Sequence, residues 1–175
     1  MARELILMRH AKSDWPDGVA DFNRPLKKRG RKAAQAIGEW LAGNNLQPDW
    51  IVASPAQRAR ETAEKLCKGL GLKKSESIHY DDRIYEASVA ALKTVLTDCP
   101  TLSRRVLLIG HNPGLDELLL NLAVDAAPAE DGKLFATATL ARLSLPDDWH
   151  RLPPKSAQLL ELRRASSILA PPDDA

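Results

Sequence analysis

Arg9-His10 stands directly after the apolar run Leu5-Ile6-Leu7-Met8 and leads into Ala11-Lys12-Ser13-Asp14. A guanidinium beside an imidazole suits an anion together with a nucleophile or base. A second polar cluster, Ser54-Pro55-Ala56-Gln57-Arg58-Ala59-Arg60-Glu61-Thr62, follows Ile51-Val52-Ala53. A third, Gly110-His111-Asn112-Pro113-Gly114, follows the apolar stretch ending at Ile109. Two histidines and two arginines can hold one phosphoryl group. A neutral imidazole attacks phosphorus and carries the group as phosphohistidine, while cations and donors offset the charge of the transition state. Taken singly, each histidine is more often a structural residue; His79 and His150 lack any partner motif and read that way.

Such chemistry needs elements that bring three distant segments to one edge. Glu4 to Met8 is too short for a helix and reads as a buried strand. Leu26 to Leu41 reads as a helix, with Ala33, Ala34, Ile37, Trp40 and Leu41 on one stripe. Asp49 to Ala53 reads as a strand, Pro55 to Leu70 as a helix ended by Gly69 and Gly71, and Ser77 to His79 as a short strand. Val89 to Leu96 is helical and stops before Pro100; Arg105 to Ile109 is a strand; Leu115 to Val124 is helical. Ala138 to Leu145 and Gln158 to Leu162 read as strands, with a loop over Asp125 to Lys133. Strands separated by helices predict an α/β domain with a mostly parallel sheet. In such sheets ligands bind past the carboxyl ends of the strands, where all three polar clusters fall.

Local physics refines the second cluster. Ser54 suits an N-cap, Pro55 the first helical position, and Gln57 would complete a capping box. That predicts a helix start whose backbone N–H groups face the strand edge and an anion there. The plainer reading is a helix cap and nothing more. Arg58 and Thr62 share a helix face, so Arg58 is expected at the anion. Arg60 is expected in solvent or paired with Glu61 or Glu64. The basic run Lys27-Lys28-Arg29-Gly30-Arg31-Lys32 reads as a solvated helix face, with phosphate steering or a partner surface as the alternative.

The chain has 175 residues, which favours one domain, and its 25 basic against 23 acidic residues leave a net +2. That balance gives no field for nucleic acid, and no apolar run reaches the length of a membrane span. Cys67 and Cys99 form no CxxC and have no histidine at metal spacing, so neither a metal site nor a cofactor is expected. Cys67 reads as core. The amino terminus lacks the pattern of a signal peptide, which predicts a cytoplasmic protein. The domain is expected over residues 1–170, with a frayed tail over 171–175.

Leu7-Met8-Arg9-His10-Ala11, Ser54-Pro55-Ala56-Gln57-Arg58-Ala59, Tyr85-Glu86 and Gly110-His111-Asn112-Pro113 together resemble the histidine phosphatase superfamily, the phosphoglycerate mutase-like fold. Asp21-Phe22-Asn23-Arg24-Pro25-Leu26, followed by Arg29-Gly30, is similar to its small SixA-type phosphohistidine phosphatases. The resemblance spans roughly residues 5 to 163. It implies a single-domain three-layer sandwich, helices on both faces of the sheet, and a metal-independent phosphatase with a phosphohistidine intermediate.

The resemblance also implies roles. His10 would be the nucleophile, and Arg9, Arg58 and His111 would complete the phosphate pocket, with Ser54 at its edge. Glu86 sits where many members keep the acid that protonates the leaving group; the alternative is an exposed loop carboxylate. Asn112 either bonds phosphate or sets the turn before Pro113. The tripeptide usual in the superfamily is Arg-His-Gly. Ala11 stands in place of that glycine, so the backbone there must keep an ordinary conformation. No long insertion supplies a lid, which suits a phosphohistidine side chain on a protein. The other readings are a small phosphoester as substrate, or a phosphate-binding module without catalysis.

Overall fold

The structure, a computed structural model, describes residues 2–73, 77–128 and 130–170. The expected tail over 171–175 lies outside the described residues. Six strands form one sheet: β1 (Arg3–Arg9), β2 (Trp50–Ala53), β3 (Ile78–Tyr80), β4 (Arg105–Gly110), β5 (Thr139–Leu145) and β6 (Gln158–Arg164). Their order is β3-β2-β4-β1-β5-β6. The first four run parallel, and β5 pairs antiparallel with both β1 and β6. The α/β prediction therefore holds, with a mixed sheet whose parallel part carries all three polar clusters.

Helices cover both faces. α1 (Lys28–Gly43) and α2 (Gln57–Gly69) share one face with the short α5 (Ala165–Leu169), over Ile6, Met8, Leu107 and Ile109. α3 (Val89–Thr97) and α4 (Gly114–Leu122) cover the other, over Leu5, Leu7, Val106 and Leu108. The alternation along β1 and β4 follows from side chains pointing to opposite faces of a strand. Cys67 is fully buried in the first core, as expected. No helix among the described residues is long and apolar enough to cross a membrane.

Several boundaries differ from the sequence reading. α1 begins at Lys28 rather than Leu26, because Leu26 bridges Ser13 as extended chain. α4 ends at Leu122, since Ala123 bridges Ala157. β6 runs on to Arg164 and turns into α5, a helix the sequence pattern did not announce. β5 begins at Thr139, with Ala138 held at φ 55° before it.

The largest correction concerns the second cluster. α2 starts at Gln57 with Ala56 as its N-cap and no side-chain cap, so the Ser54–Gln57 capping box does not form. The Ser54 hydroxyl is engaged elsewhere. It accepts the Ala56 amide at 3.2 Å and lies 2.7 Å from His111 Nε2. Gln57 reaches Glu61 instead of the chain start.

Candidate active site

The parallel register sets the site. Arg9 pairs with Gly110, and the ladder continues one step as the His10 amide donates to the Gly110 carbonyl at 3.1 Å. Ala53 pairs with Ile109, and the Ser54 amide donates to the Ile109 carbonyl at 3.0 Å. His10, Ser54 and His111 thus leave three adjacent strands at one level. The His10 and His111 rings lie 5.2 Å apart between centroids.

His10 is buried, and its Nδ1 donates to the Ala11 carbonyl at 2.8 Å. A carbonyl only accepts, so the proton of the neutral ring sits on Nδ1 and Nε2 keeps its lone pair. Burial lowers the pKa of His10 to about 3; the Ala11 bond opposes that, while His111, Arg58 and Arg9 add to the lowering. Ala11 is fully buried and outside the left-handed region, so the alanine adopts the ordinary backbone its side chain demands. Its amide donates to Thr62 Oγ1 at 3.0 Å, and Thr62 in turn donates to the Arg58 carbonyl. Thr62 therefore ties the loop after His10 to the helix that presents Arg58.

His111 is also buried, and its pKa is lowered to about 4, first by burial and then by Arg58. The Ser54 hydroxyl, with one proton and two lone pairs, accepts the Ala56 amide and shares a 2.7 Å hydrogen bond with His111 Nε2. His111 Nδ1 is buried without a partner. Three more buried polar atoms without partners belong to this site: Arg9 Nε, Arg58 Nε and Asn112 Oδ1. Buried polar atoms of this kind are costly unless a ligand meets them; the two arginine Nε–H groups donate, whereas Asn112 Oδ1 accepts. Four such atoms converge here from three strand ends.

The remaining donors of these residues are spent on positioning. Arg9 and Asn112 both donate to the Phe135 carbonyl, at 2.9 and 3.1 Å, and the Phe135 amide donates to Asp116. Arg9 binds its proton less firmly than usual because it is buried; Asp116 opposes that effect and Arg58 adds to it. Arg58 donates to the Asp21 carbonyl at 2.7 Å and pairs with its carboxylate at 3.0 Å. Asp21 also accepts from Tyr85 at 2.7 Å and from Arg24 at 3.1 Å, which lowers its pKa to about 2, the Tyr85 bond being the largest cause. Arg24, buried against Ser13 and the Asp14 carbonyl, fixes the loop that carries Asp21.

Above these groups lies a cavity of about 440 Å³, with Asp21, Arg58, Tyr85, Glu86, His111 and Asn112 among its walls. Glu86 is exposed on that wall and held at φ 52°, a strained conformation for a residue with a side chain. Asn112 precedes Pro113 through a cis peptide bond, so it both sets the turn and faces the cavity. Arg60 points away, its guanidinium 4.6 Å from the Tyr80 ring rather than against Glu61, which bonds Arg31 and Gln57. His79 stacks on Trp50 and His150 reaches Asp148, both outside the cluster.

All seven residues expected at the site are near it: Arg9, His10, Ser54, Arg58, Glu86, His111 and Asn112. Sequence reasoning gave no role to Asp21, Thr62, Asp116 or the Phe135 carbonyl. The Asp21–Arg24 spacing inside a loop was the available signal for an ion pair. A backbone carbonyl leaves none.

Comparisons with known proteins give the chain's family and its relatives. A family model described as histidine phosphatase superfamily (branch 1) matches residues 5–99. An uncharacterised Mycobacterium tuberculosis protein is 34% identical over 158 residues, covering 87% of this chain and 96% of that protein. The phosphohistidine phosphatase SixA of Escherichia coli is 27% identical over 149 residues, covering 81% and 85%. The solved structure of a SixA-type protein from Nakamurella multipartitia superposes with a TM-score of 0.78 at 28% identity, covering 94% and 96%.

Two outcomes are expected. Both histidine rings bind protons less readily folded than at the ordinary value of 6.5. The unfolded chain therefore takes up protons first as pH falls, and the fold loses stability from about pH 6.5 downward toward the folded values. Side-chain nitrogen NMR should show His10 and His111 neutral from about pH 5 to 8; a midpoint near 6.5 for His10 contradicts the bonding described. Arg58→Ala should weaken vanadate binding about 100-fold, and Arg60→Ala less than about twofold. Equal losses, measured by titration calorimetry, would show that the helix face is assigned wrongly.

Proposed function

The chain belongs to the histidine phosphatase superfamily, in its SixA-type branch, and is a phosphatase; from that premise we propose a metal-independent, two-step hydrolysis through phospho-His10, acting on phosphohistidine in proteins. The observation that carries this reading is the neutral, buried His10, with Nδ1 bonded to the Ala11 carbonyl and Nε2 free near the unpartnered Nε–H groups of Arg9 and Arg58 and the unpartnered Nδ1 of His111.

In the first step the Nε2 lone pair forms a bond to phosphorus while the bond to the leaving group breaks. Arg9 Nε, Arg58 Nε and His111 Nδ1 donate to the phosphoryl oxygens as their charge builds. The leaving group takes a proton as it departs. Glu86, on the cavity wall, is placed to supply it when the leaving group is an alkoxide. An imidazole leaving group departs readily once protonated and asks less of that acid. In the second step water attacks phosphorus and passes a proton to the Glu86 carboxylate or to solvent, the phosphorus–nitrogen bond breaks, and its electron pair returns to Nε2. The Ala11 carbonyl holds the ring in one tautomer through both steps.

An open cavity favours a protein-borne side chain over a small metabolite that must be sealed from water. The competing reading, a general phosphomonoesterase, is supported by the same pocket. A non-catalytic module needs the arginines but gives no reason for a free Nε2 between them. The reading predicts that kcat/KM for a synthetic phosphohistidine peptide exceeds that for p-nitrophenyl phosphate or a sugar phosphate by at least about tenfold, equally with and without EDTA. A sugar phosphate as the best substrate of such a panel would overturn it.

A further inference from the structure

The basic run that opens α1 has no part in the chemistry above. The first turn of α1 holds no acidic residue, and its N-cap makes no side-chain bond. Cations there oppose the helix macrodipole, so helix physics does not account for them. Lys27 pairs with Asp14, and Arg31 with Glu61. Among the described residues, Lys12, Lys28, Arg29 and Lys32 have no ion pair. Lys12 and the five cations of the run, with their partners Asp14 and Glu61, leave +4; the other 19 basic residues face 21 acidic ones, so the rest of the chain is net −2. The charge is segregated although the total is balanced.

Topology brings this patch to the phosphoryl pocket. α1 follows β1 and so begins at the carboxyl edge of the sheet, where His10 lies. Gly30 lets α1 rest on the backbone of Lys12: a Cβ there would collide with the Lys12 carbonyl, which accepts the Lys27 amide at 2.9 Å. β6 runs in the same direction as β1, through β5, and ends at that edge with Arg164. Between α1, α5 and residues 136–138 lies a cavity of about 420 Å³. It is lined by Lys12, Arg29 and Arg164 together with apolar Ala33, Ala138 and Leu169; Arg164 is paired with Asp131 at 2.7 Å, and Lys12 and Arg29 are the cations there without an ion pair among the described residues. The Ala138 amide donates to the His10 carbonyl at 3.2 Å. Lys12 is two residues from His10, at most about 7 Å along the chain.

Resting on the phosphohistidine-protein reading, we propose that this groove docks an acidic polypeptide segment flanking the phosphorylated residue of the partner. Lys12 and Arg29 supply the complement to acidic side chains, and the apolar lining gives a polypeptide's aliphatic parts a place to lie. The negative remainder of the surface repels the same partner elsewhere, which orients its approach.

The test uses two synthetic peptides, each with one phosphohistidine, flanked by glutamates in one and by serines in the other. The acidic peptide should show a kcat/KM about tenfold higher, and raising salt from about 0.05 to about 0.3 M should remove that advantage. Combined Lys12→Ala and Arg29→Ala should abolish the preference while p-nitrophenyl phosphate turnover stays within about twofold of the unsubstituted protein. The salt titration keeps the idea testable if that variant folds poorly. Equal rates for the two peptides in the unsubstituted protein overturn the docking groove and leave the phosphohistidine reading intact. Turnover of p-nitrophenyl phosphate with neither peptide hydrolysed overturns both. Equal peptide rates combined with strong binding of a single-stranded DNA oligonucleotide would assign the patch to nucleic acid and overturn the proposal.

Discussion

The parallel hydrogen-bonded register of β2, β4 and β1 is the constraint on which the rest depends. Ala53 stands opposite Ile109, and Arg9 opposite Gly110, so three chains leave the sheet at one level. Each next residue is a chemical group: Ser54, His111 and His10. A shift of one residue in either pairing would turn one of these side chains to the other face and break the cluster. The apolar runs that fill both cores therefore also fix the geometry of the site. Ile6 and Met8 face one helical layer, Leu5 and Leu7 the other, and a slip would turn each set into the packing shaped for the other.

Electrostatics follow from that placement. Two histidines are buried beside two arginines; burial first, and then the guanidinium charges, keep both rings neutral. The result is a neutral imidazole in a positive surround, which is what attack on a phosphoryl dianion requires. The fold offsets part of the positive charge with Asp21 on Arg58 and Asp116 near Arg9, each acting at the back or flank of a guanidinium. Both Nε atoms are left over. The Thr62 hydroxyl and the Phe135 carbonyl add no charge; they hold the groups that carry it.

Much of this was legible in the chain. The apolar strands and the polar clusters behind them identify the edge and the chemistry, and Arg58 was separated from Arg60 by helical spacing alone. The local reading of Ser54 failed because a hydroxyl suited to a cap has a stronger claimant in space, His111, 57 residues away in the chain. Asp21 was invisible as a site residue because its loop has no periodicity; only Arg24, Arg58 and Tyr85 together define its place. Phe135 contributes through its backbone, and no side-chain pattern reports a carbonyl. The helix α5 is short enough that a strand signal running into Arg164 hides it.

The central claim is that His10 Nε2 carries the phosphoryl group. Rapid acid-free quenching during turnover of a phosphoester, followed by phosphorus NMR and peptide mass spectrometry, tests it directly. The account predicts an acid-labile phosphoryl group on His10, bonded at Nε2, present in the unsubstituted protein and absent in His10→Ala. Turnover without any phosphoenzyme, or a label on another residue, would contradict it.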